Sequence, residues 1–407
     1  MYNNDVELLF VGGVFPKELE EEIMRKSSHY LQSAANNCQW RFINGFDYNN
    51  TKPVTILNQI FVGSYPKNYK DPIVHSSKFS HIDGANDINL GFINVKYIKE
   101  VIPPFHEKKQ ISDWIEANDK RKIIFIYSLS NKTIRITKYI KKHWKNCIVV
   151  TYVGDLPQNF MRGRQNNVLV KHWVNLQARH VRNNIHLIDF FVFVAEQQAK
   201  VLGVDSEKYI VIEGIANSLG REYSPISDEE NKRIVYAGGL LPQYNIKGLL
   251  EAFSEIKNSN ISLVFMGDGP EKDIILESKL KDNRIKYLGV LSQEDAMAEM
   301  KKAWVLVNPT LSKEDFTKLS FPIKLIDYLF AGRPVISQKL GSIPKEYDEH
   351  LIYFDETHTL KERILEVLSY DIQDVEQIGL SNYDFIINEK AEIAQTKKLL
   401  KRIEDIK

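Results

Sequence analysis

The chain has 407 residues, enough for two compact domains rather than one oversized core. Apolar residues make up 43% and charged residues 26%, and 54 basic against 53 acidic residues leave a formal charge of +1. That balance describes a globular protein and excludes one drawn as a whole onto nucleic acid, while two cysteines, Cys38 and Cys147, exclude a disulfide framework or thiolate zinc site and fit a reducing cytoplasm.

The opening segment, MYNNDVELLFVGG, starts with polar and acidic residues and has only a short apolar run. It predicts a strand over Glu7–Val11 and no leader peptide. Gly12 and Gly13 then either let a ligand approach the backbone ahead of a helix near Lys17 or simply join strand to helix. From about Asn36 to Pro104 no period dominates. Strands follow at Ile123–Tyr127, Ile148–Thr151, Phe191–Val194 and Ile210–Glu213, alternating with helical patterns, which predicts an α/β fold with parallel sheets. The most apolar stretch, HLIDFFVFVA, is broken by Asp189 and falls short of the roughly 20 residues that span a bilayer, so any membrane contact is peripheral. Asp155, in YVGDLP after a strand, is a candidate acceptor-binding group or base; its other reading is a turn former before Leu156 and Pro157.

Charge is segregated within this half. Residues 121–182 hold 13 Lys or Arg and one acid, Asp155. The helix pattern in NKTIRITKYIKKHWKN sets Arg135, Lys138, Lys141, Lys142 and Lys145 on one arc, with Ile136, Tyr139, Ile140 and Trp144 opposite. Lys171, Arg179 and Arg182 share a face of the next helix. Such a region is either a solvated face or a surface for anionic lipid headgroups or the diphosphate of a lipid-linked acceptor; no nucleic-acid module accompanies it.

Gly220, Pro225 and a polar acidic run place a hinge at 216–231, between an N-terminal domain, 1–215, and a C-terminal domain, 232–385. The charged amphipathic helix in 386–407 is expected to pack back across the domains. Six strands are predicted in the second half, at Ile234–Tyr236, Ser262–Met266, Ile285–Tyr287, Val305–Asn308, Val335–Ile336 and Leu351–Phe354. Gly238 and Gly239 end the first of them, and Lys247 opens the next helix, where a cation and the helix dipole together attract phosphate unless Lys247 is an ordinary surface lysine. In LSFPIKLIDYLFAGRPVIS, Ser320 is a cap, Pro322 suits a first turn, and Gly332 with Pro334 stop the helix. Lys324 and Asp327, three apart, share a face: they meet a diphosphate and ribose hydroxyls, or form a surface ion pair. The histidines are scattered and no carboxylate cluster has metal-ligand spacing, so no metal site is expected.

Residues 233–337, RIVYAGG, NIKGLLEAF, SLVFMGDGPE, RIKYLGVLS, WVLVNPT and SFPIKLIDYLFAGRPVIS in that order, resemble the donor-binding domain of glycosyltransferase family 4. The SFPIK variant is similar to a subgroup among bacterial surface-polysaccharide transferases. The resemblance implies a GT-B fold, two Rossmann-like doubly wound domains facing a central cleft, and retaining transfer of a sugar from a UDP-linked donor. The acceptor would be a growing or lipid-linked glycan held by the N-terminal domain, at the cytoplasmic face of the plasma membrane, with no metal or other cofactor. It also implies that Lys247 neutralises the diphosphate, that Asp327 contacts the ribose, and that Gly267 and Gly269 form a turn beside the nucleotide. Leu319 stands where the family has a glutamate touching the donor sugar, and Gly239 where it has an arginine, whose charge Lys324 would replace. These two departures also fit a GT-B partner or scaffold without transferase activity. An NAD-dependent oxidoreductase is disfavoured, because no strand leads into G-x-G-x-x-G with an acid about 20 residues on.

Overall fold

The computed structural model describes residues 6–28, 33–50, 52–156, 168–219, 222–226, 230–311 and 321–406. They form two compact units, Met1–Ile212 with Glu392–Lys407, and Glu213–Ala391. Among them no helix is long and apolar enough to cross a membrane.

The first unit is built on β1 (Val6–Gly12), β2 (Thr55–Asn58), β3 (Ile73–Val74), β4 (Ser77–Phe79), β5 (Asp87–Asn89), β6 (Phe92–Ile93), β7 (Arg121–Tyr127), β8 (Ile148–Val153), β9 (Phe190–Phe193) and β10 (Tyr209–Val211). Eight of these make one sheet in the order β10-β9-β8-β7-β1-β2-β5-β4, parallel except for β4, while β3 and β6 pair separately. The central strands read as unbroken apolar runs because both faces are covered. Phe42 and Phe46, from the helix Ser33–Asn49, meet Phe125 with ring centroids 5.1 and 5.3 Å apart. Ile111, Ile115, Ile136 and Ile140 pack together in a further buried cluster with Leu9 and Ile124. The stretch without a readable period holds most of that helix and five strands of two to four residues, too short to show alternation.

The second unit has β11 (Lys232–Ala237), β12 (Ile261–Met266), β13 (Ile285–Tyr287), β14 (Val305–Asn308), β15 (Val335–Gln338) and β16 (Ile352–Phe354), all parallel, in the order β13-β12-β11-β14-β15-β16. Each of the eleven predicted strands overlaps a strand of the two large sheets, although Ile212 and Glu213 lie beyond the end of β10. In each sheet the winding reverses at a central strand, β1 in the first and β11 in the second. Open α/β sheets bind ligands beyond the carboxyl ends of the strands at that reversal.

Residues 216–219 and 222–226 lie in the second unit, where Ala216 N–H donates to Lys390 O and Arg333 donates to Ser224 O, both at 2.8–2.9 Å. The chain returns to the first unit at Glu392. There the helix Glu392–Glu404 packs on Ser33–Asn49, and Asn49 Nδ2 donates to Ile393 O and Thr396 Oγ1, each at 2.9 Å.

Candidate functional site

At the reversal of the second sheet, β11 ends in Ala237 and enters the loop Gly238–Asn245. Tyr328 secures that end: its hydroxyl accepts from Ala237 N–H and donates to Ala237 O, each at 2.8 Å. Gly238 N–H donates to Met266 O and Leu240 N–H to Asp268 O, both at 2.9 Å, so this loop lies backbone to backbone with the loop after β12. The approach is close enough that a Cβ on Gly267, which has φ +130°, would stand 1.9 Å from Gly238 O. A Cβ on Gly269, at φ +156°, would stand 2.4 Å from Leu240 O.

Lys324 reaches this loop from the helix Lys324–Phe330. Its Nζ donates to the Tyr236 hydroxyl at 3.0 Å, and that hydroxyl donates to Gly239 O at 2.6 Å. Nζ lies 4.5 Å from the Tyr236 ring centroid and 4.3 Å from that of Tyr244, and a Cβ on Gly238 would be 3.5 Å from it. Burial disfavours the charged amine and pushes its pKa down to about 7. Burial likewise pushes the Tyr236 phenol far up, so it stays protonated as a hydrogen-bonding group.

Lys247 is exposed in the first turn of the helix Ile246–Ser254. A lysine at that end opposes the helix dipole, so the position suits an anion held by both. Asn245 precedes it and its Nδ2 donates to Pro309 O at 3.2 Å, tying the loop after β11 to the end of β14. Gly248 leaves room for that side chain, since a Cβ there would meet it at 2.6 Å. Asp327 is half-buried one turn beyond Lys324. Ser320 and Leu319 lie outside the described residues; the helix itself starts at Lys324, with Leu325 N–H donating to Pro322 O at 2.9 Å.

Sequence reasoning missed Tyr236, Tyr244, Tyr328 and Asn245. One signal was available: a tyrosine inside an apolar strand, as in RIVYAGG, must find a partner for its hydroxyl.

In the first unit, Gly12 and Gly13 form the turn after β1. Gly13 N–H donates to Gln39 Oε1 at 2.7 Å, and a Cβ on Gly13 would stand 1.9 Å from the Phe61 ring. Asp155 is exposed two residues beyond β8. It acts electrostatically on Tyr127 and Tyr152, whose rings stack 4.9 Å apart; burial raises both phenols, with Cys38 and Asp155 adding to it.

Four residues of the predicted basic arc lie on the helix Asn131–His143, and Lys145 lies just past its end. Ile136 and Ile140 are core residues, as are their neighbours Ile134 and Thr137. Arg135 pairs with Glu107 at 2.7 Å and Lys141 with Asp189 at 2.6 Å, whereas Lys138, Lys142 and Lys145 are exposed. Arg179 and Arg182 are exposed as well, and the side chain of Lys171 lies outside the described residues.

Over residues 231–370 the chain matches the family described as Glycosyl transferases group 1. No curated protein matches it by sequence. Among solved structures it is similar to sucrose-phosphate synthase from Thermosynechococcus elongatus, at 14% identity and TM-score 0.63, over 98% of this chain and 99% of that one. It is similar to the lipopolysaccharide outer core galactosyltransferase WaaB, at 14% identity and TM-score 0.61, with the same coverage of both chains. A third is Anabaena Alr3699/HepE in complex with UDP, at 12% identity and TM-score 0.57, again over 98% and 99%. Residues 231–370 thus match that family's pattern, and along its length the chain shares a GT-B fold with these solved structures.

Proposed function

We propose that the protein is a retaining glycosyltransferase that moves a sugar from a UDP-linked donor to a growing or lipid-linked surface glycan. The observation that carries this reading is the convergence of Lys324, the Gly238–Gly239 loop and the Lys247 helix start at the reversal of the second sheet, within the family-matched segment. The UDP bound by the similar HepE and the lipopolysaccharide substrate of WaaB support the donor and the acceptor class. In the reaction the bond from the anomeric carbon to the diphosphate breaks, and the bond to the acceptor oxygen forms on the same face. The acceptor proton passes to the departing phosphate oxygen or to Asp155, which binds the acceptor in the first unit. Lys247 and Lys324 stabilise charge building on the diphosphate, so transfer runs without a divalent ion. Asp327 holds the ribose, beside the turn at Gly267 and Gly269.

UDP at a hundred times its Kd is expected to stabilise the protein by about 2.7 kcal/mol, visible as a rise in Tm that persists in EDTA. Lys247→Ala and Asp327→Ala should each weaken UDP binding by roughly 10- to 150-fold, since a charge-assisted hydrogen bond contributes on the order of 1.5–3 kcal/mol. A rise with NAD and none with any nucleoside diphosphate would overturn the reading, and transfer lost in EDTA and restored by a divalent ion would overturn its metal independence. The second reading, a GT-B partner without transfer, is favoured by Leu319 and Gly239 and predicts UDP binding with no sugar release from any donor.

The same proposal places the protein at the cytoplasmic face of the plasma membrane, through the basic region 121–182. Because Arg135 and Lys141 are engaged in ion pairs, the exposed charge of the arc among the described residues rests on Lys138, Lys142 and Lys145. Near an anionic leaflet each basic residue contributes about 1 kcal/mol. Changing Lys138, Lys142 and Lys145 to Gln should therefore release the protein from anionic vesicles in cosedimentation. Equal sedimentation of wild type and variant would leave this arc a solvated face.

A further inference from the structure

Apolar side chains exposed singly are ordinary on a protein surface, whereas a contiguous group of them marks a docking surface. Among the described residues of the first unit, five of the twelve exposed large apolar side chains fall within one short segment: Tyr97, Ile98, Val101, Ile102 and Phe105. Val101 is 66% exposed. Leu176, 50% exposed on the helix Val168–Asn184, joins them by lining one open cleft of about 440 Å³ with Val101. The backbone beneath is suited to leaving water. The N–H groups of Lys99, Glu100, Ile102 and Phe105 donate to Val95 O, Tyr97 O, Ile98 O and Gly91 O at 2.7–3.3 Å, while Pro103 and Pro104 have no N–H to satisfy. Lys96 and Lys108 are exposed at the two ends of the segment. Lys108 Nζ lies 5.2 Å from the Tyr139 ring centroid, and Glu107 pairs with Arg135, so the segment ends alongside the helix Asn131–His143. The exposed Lys138, Lys142 and Lys145 continue the positive surface from there. Of the acids nearby, Glu100 lines the cleft with Arg135 and His180, and Asp113 pairs with Lys109.

We propose that Tyr97–Phe105, with Leu176, is an apolar wedge that enters the acyl region of an anionic bilayer while the lysines beside it meet the headgroups. The inference rests on the membrane reading above and deepens it, because it adds a second, non-electrostatic contact to the basic arc. Charge draws the protein to the leaflet, and burial of Ile98, Val101, Ile102 and Phe105 then holds it there. Tyr97 suits the boundary between the two layers, since its ring is apolar and its hydroxyl is not. Neither contact holds the protein alone. Single weak membrane signals give reversible, marginal binding, and two together give a stable one. Removing the exposed lysines or removing the wedge therefore has the same outcome, release from the vesicle, through different physics.

The test uses vesicles of phosphatidylcholine with phosphatidylglycerol. Val101→Ser combined with Ile102→Ser leaves every charge in place and should lower vesicle partitioning about a hundredfold, the scale of two aliphatic side chains withheld from an apolar phase. Its urea midpoint should match wild type, since both side chains are exposed. A second readout stands apart from any loss of fold. Cys38 and Cys147 are buried, so Val101→Cys offers one exposed thiol for an environment-sensitive fluorophore. Its emission should shift to the blue on vesicles and be quenched by a doxyl group on the acyl chain. Equal partitioning of wild type and the Ser variant, or quenching only from the headgroup level, overturns the inference and leaves the basic-arc reading intact. The reverse pattern, in which the Ser variant is released while the Lys138, Lys142 and Lys145→Gln variant stays bound, supports the wedge and overturns the arc. A wild-type dimer in lipid-free solution that the Ser variant dissolves overturns the wedge in favour of a self-association face. No binding by wild type to these vesicles overturns both readings.

Discussion

Gly267→Ala is expected to cost more than about 3 kcal/mol and to abolish measurable UDP binding. Two effects combine at this position. With φ at +130° the residue occupies a region that strains any side chain by roughly 1–3 kcal/mol. In addition, the new methyl would stand 1.9 Å from Gly238 O, a backbone atom that cannot swing away. Relief requires separating the loops after β11 and β12, and with them the bonds Gly238 N–H to Met266 O and Leu240 N–H to Asp268 O. Those loops carry Gly238 and Gly239 to Lys324, so the proposed donor site loosens together with the fold. Gly289→Ala is the control, because Gly289 also has a positive φ, +73°, yet a Cβ there meets nothing within 4 Å. That variant should lose only about 1 kcal/mol and keep UDP binding. Equal losses in the two variants, read from denaturant unfolding and UDP titration, would show that the close approach is immaterial.

His81→Leu should destabilise the first unit by about 3–5 kcal/mol, because it strands carboxylates that are themselves buried. His81 is clamped between two acids, with Nδ1 at 2.6 Å from Asp87 Oδ2 and Nε2 at 2.9 Å from Asp47 Oδ2, and its side chain is 4% exposed. Asp87 Oδ1 also accepts from Ile56 N–H and Asp47 Oδ1 from Val54 N–H, each at 2.8 Å, so the cluster fixes β2 against the helix Ser33–Asn49. Burial opposes the imidazolium, but the hydrogen bonds to Asp47 and Asp87 outweigh it and raise the pKa from 6.5 to about 9. A group whose folded pKa is raised adds stability that is complete below its unfolded value and vanishes as pH climbs through the folded one. The contribution, on the order of 3 kcal/mol, is thus whole below about pH 6.5 and is lost as pH rises through about 9. Urea unfolding of wild type between pH 6 and 9.5 should show that decline, and His81→Leu should be flatter over the same range. Parallel pH profiles for the two proteins would remove His81 as the cause.

How far the fold was legible depended on burial. Runs such as LLFV, IIFIY and IVY were readable because a parallel strand covered on both faces must be apolar throughout, and Gly12 and Gly238 mark where the first and last of these stop. The edge of the first sheet was not readable, since β4 and β5 are three residues each, Ser-Lys-Phe and Asp-Ile-Asn, with one apolar residue apiece and too few positions to show a period. Its stability comes instead from the His81 clamp, whose acids lie 34 and 6 residues away in the chain.

The same division holds for the site. Local sequence by itself determined that Lys247 opens a helix, that Gly238 and Gly239 end a strand, and that Lys324 and Asp327 lie one turn apart, because caps, turns and helical spacing are short-range physics. Only the tertiary structure decided what those groups meet. Lys324 is set against Tyr236, 88 residues distant, and its charge depends on the water that this packing removes. Arg135 and Lys141, equal to Lys138 and Lys142 on a helical wheel, are spent on Glu107 and Asp189 from other elements. Burial and pairing are set by neighbours in space, and a one-dimensional pattern carries neither.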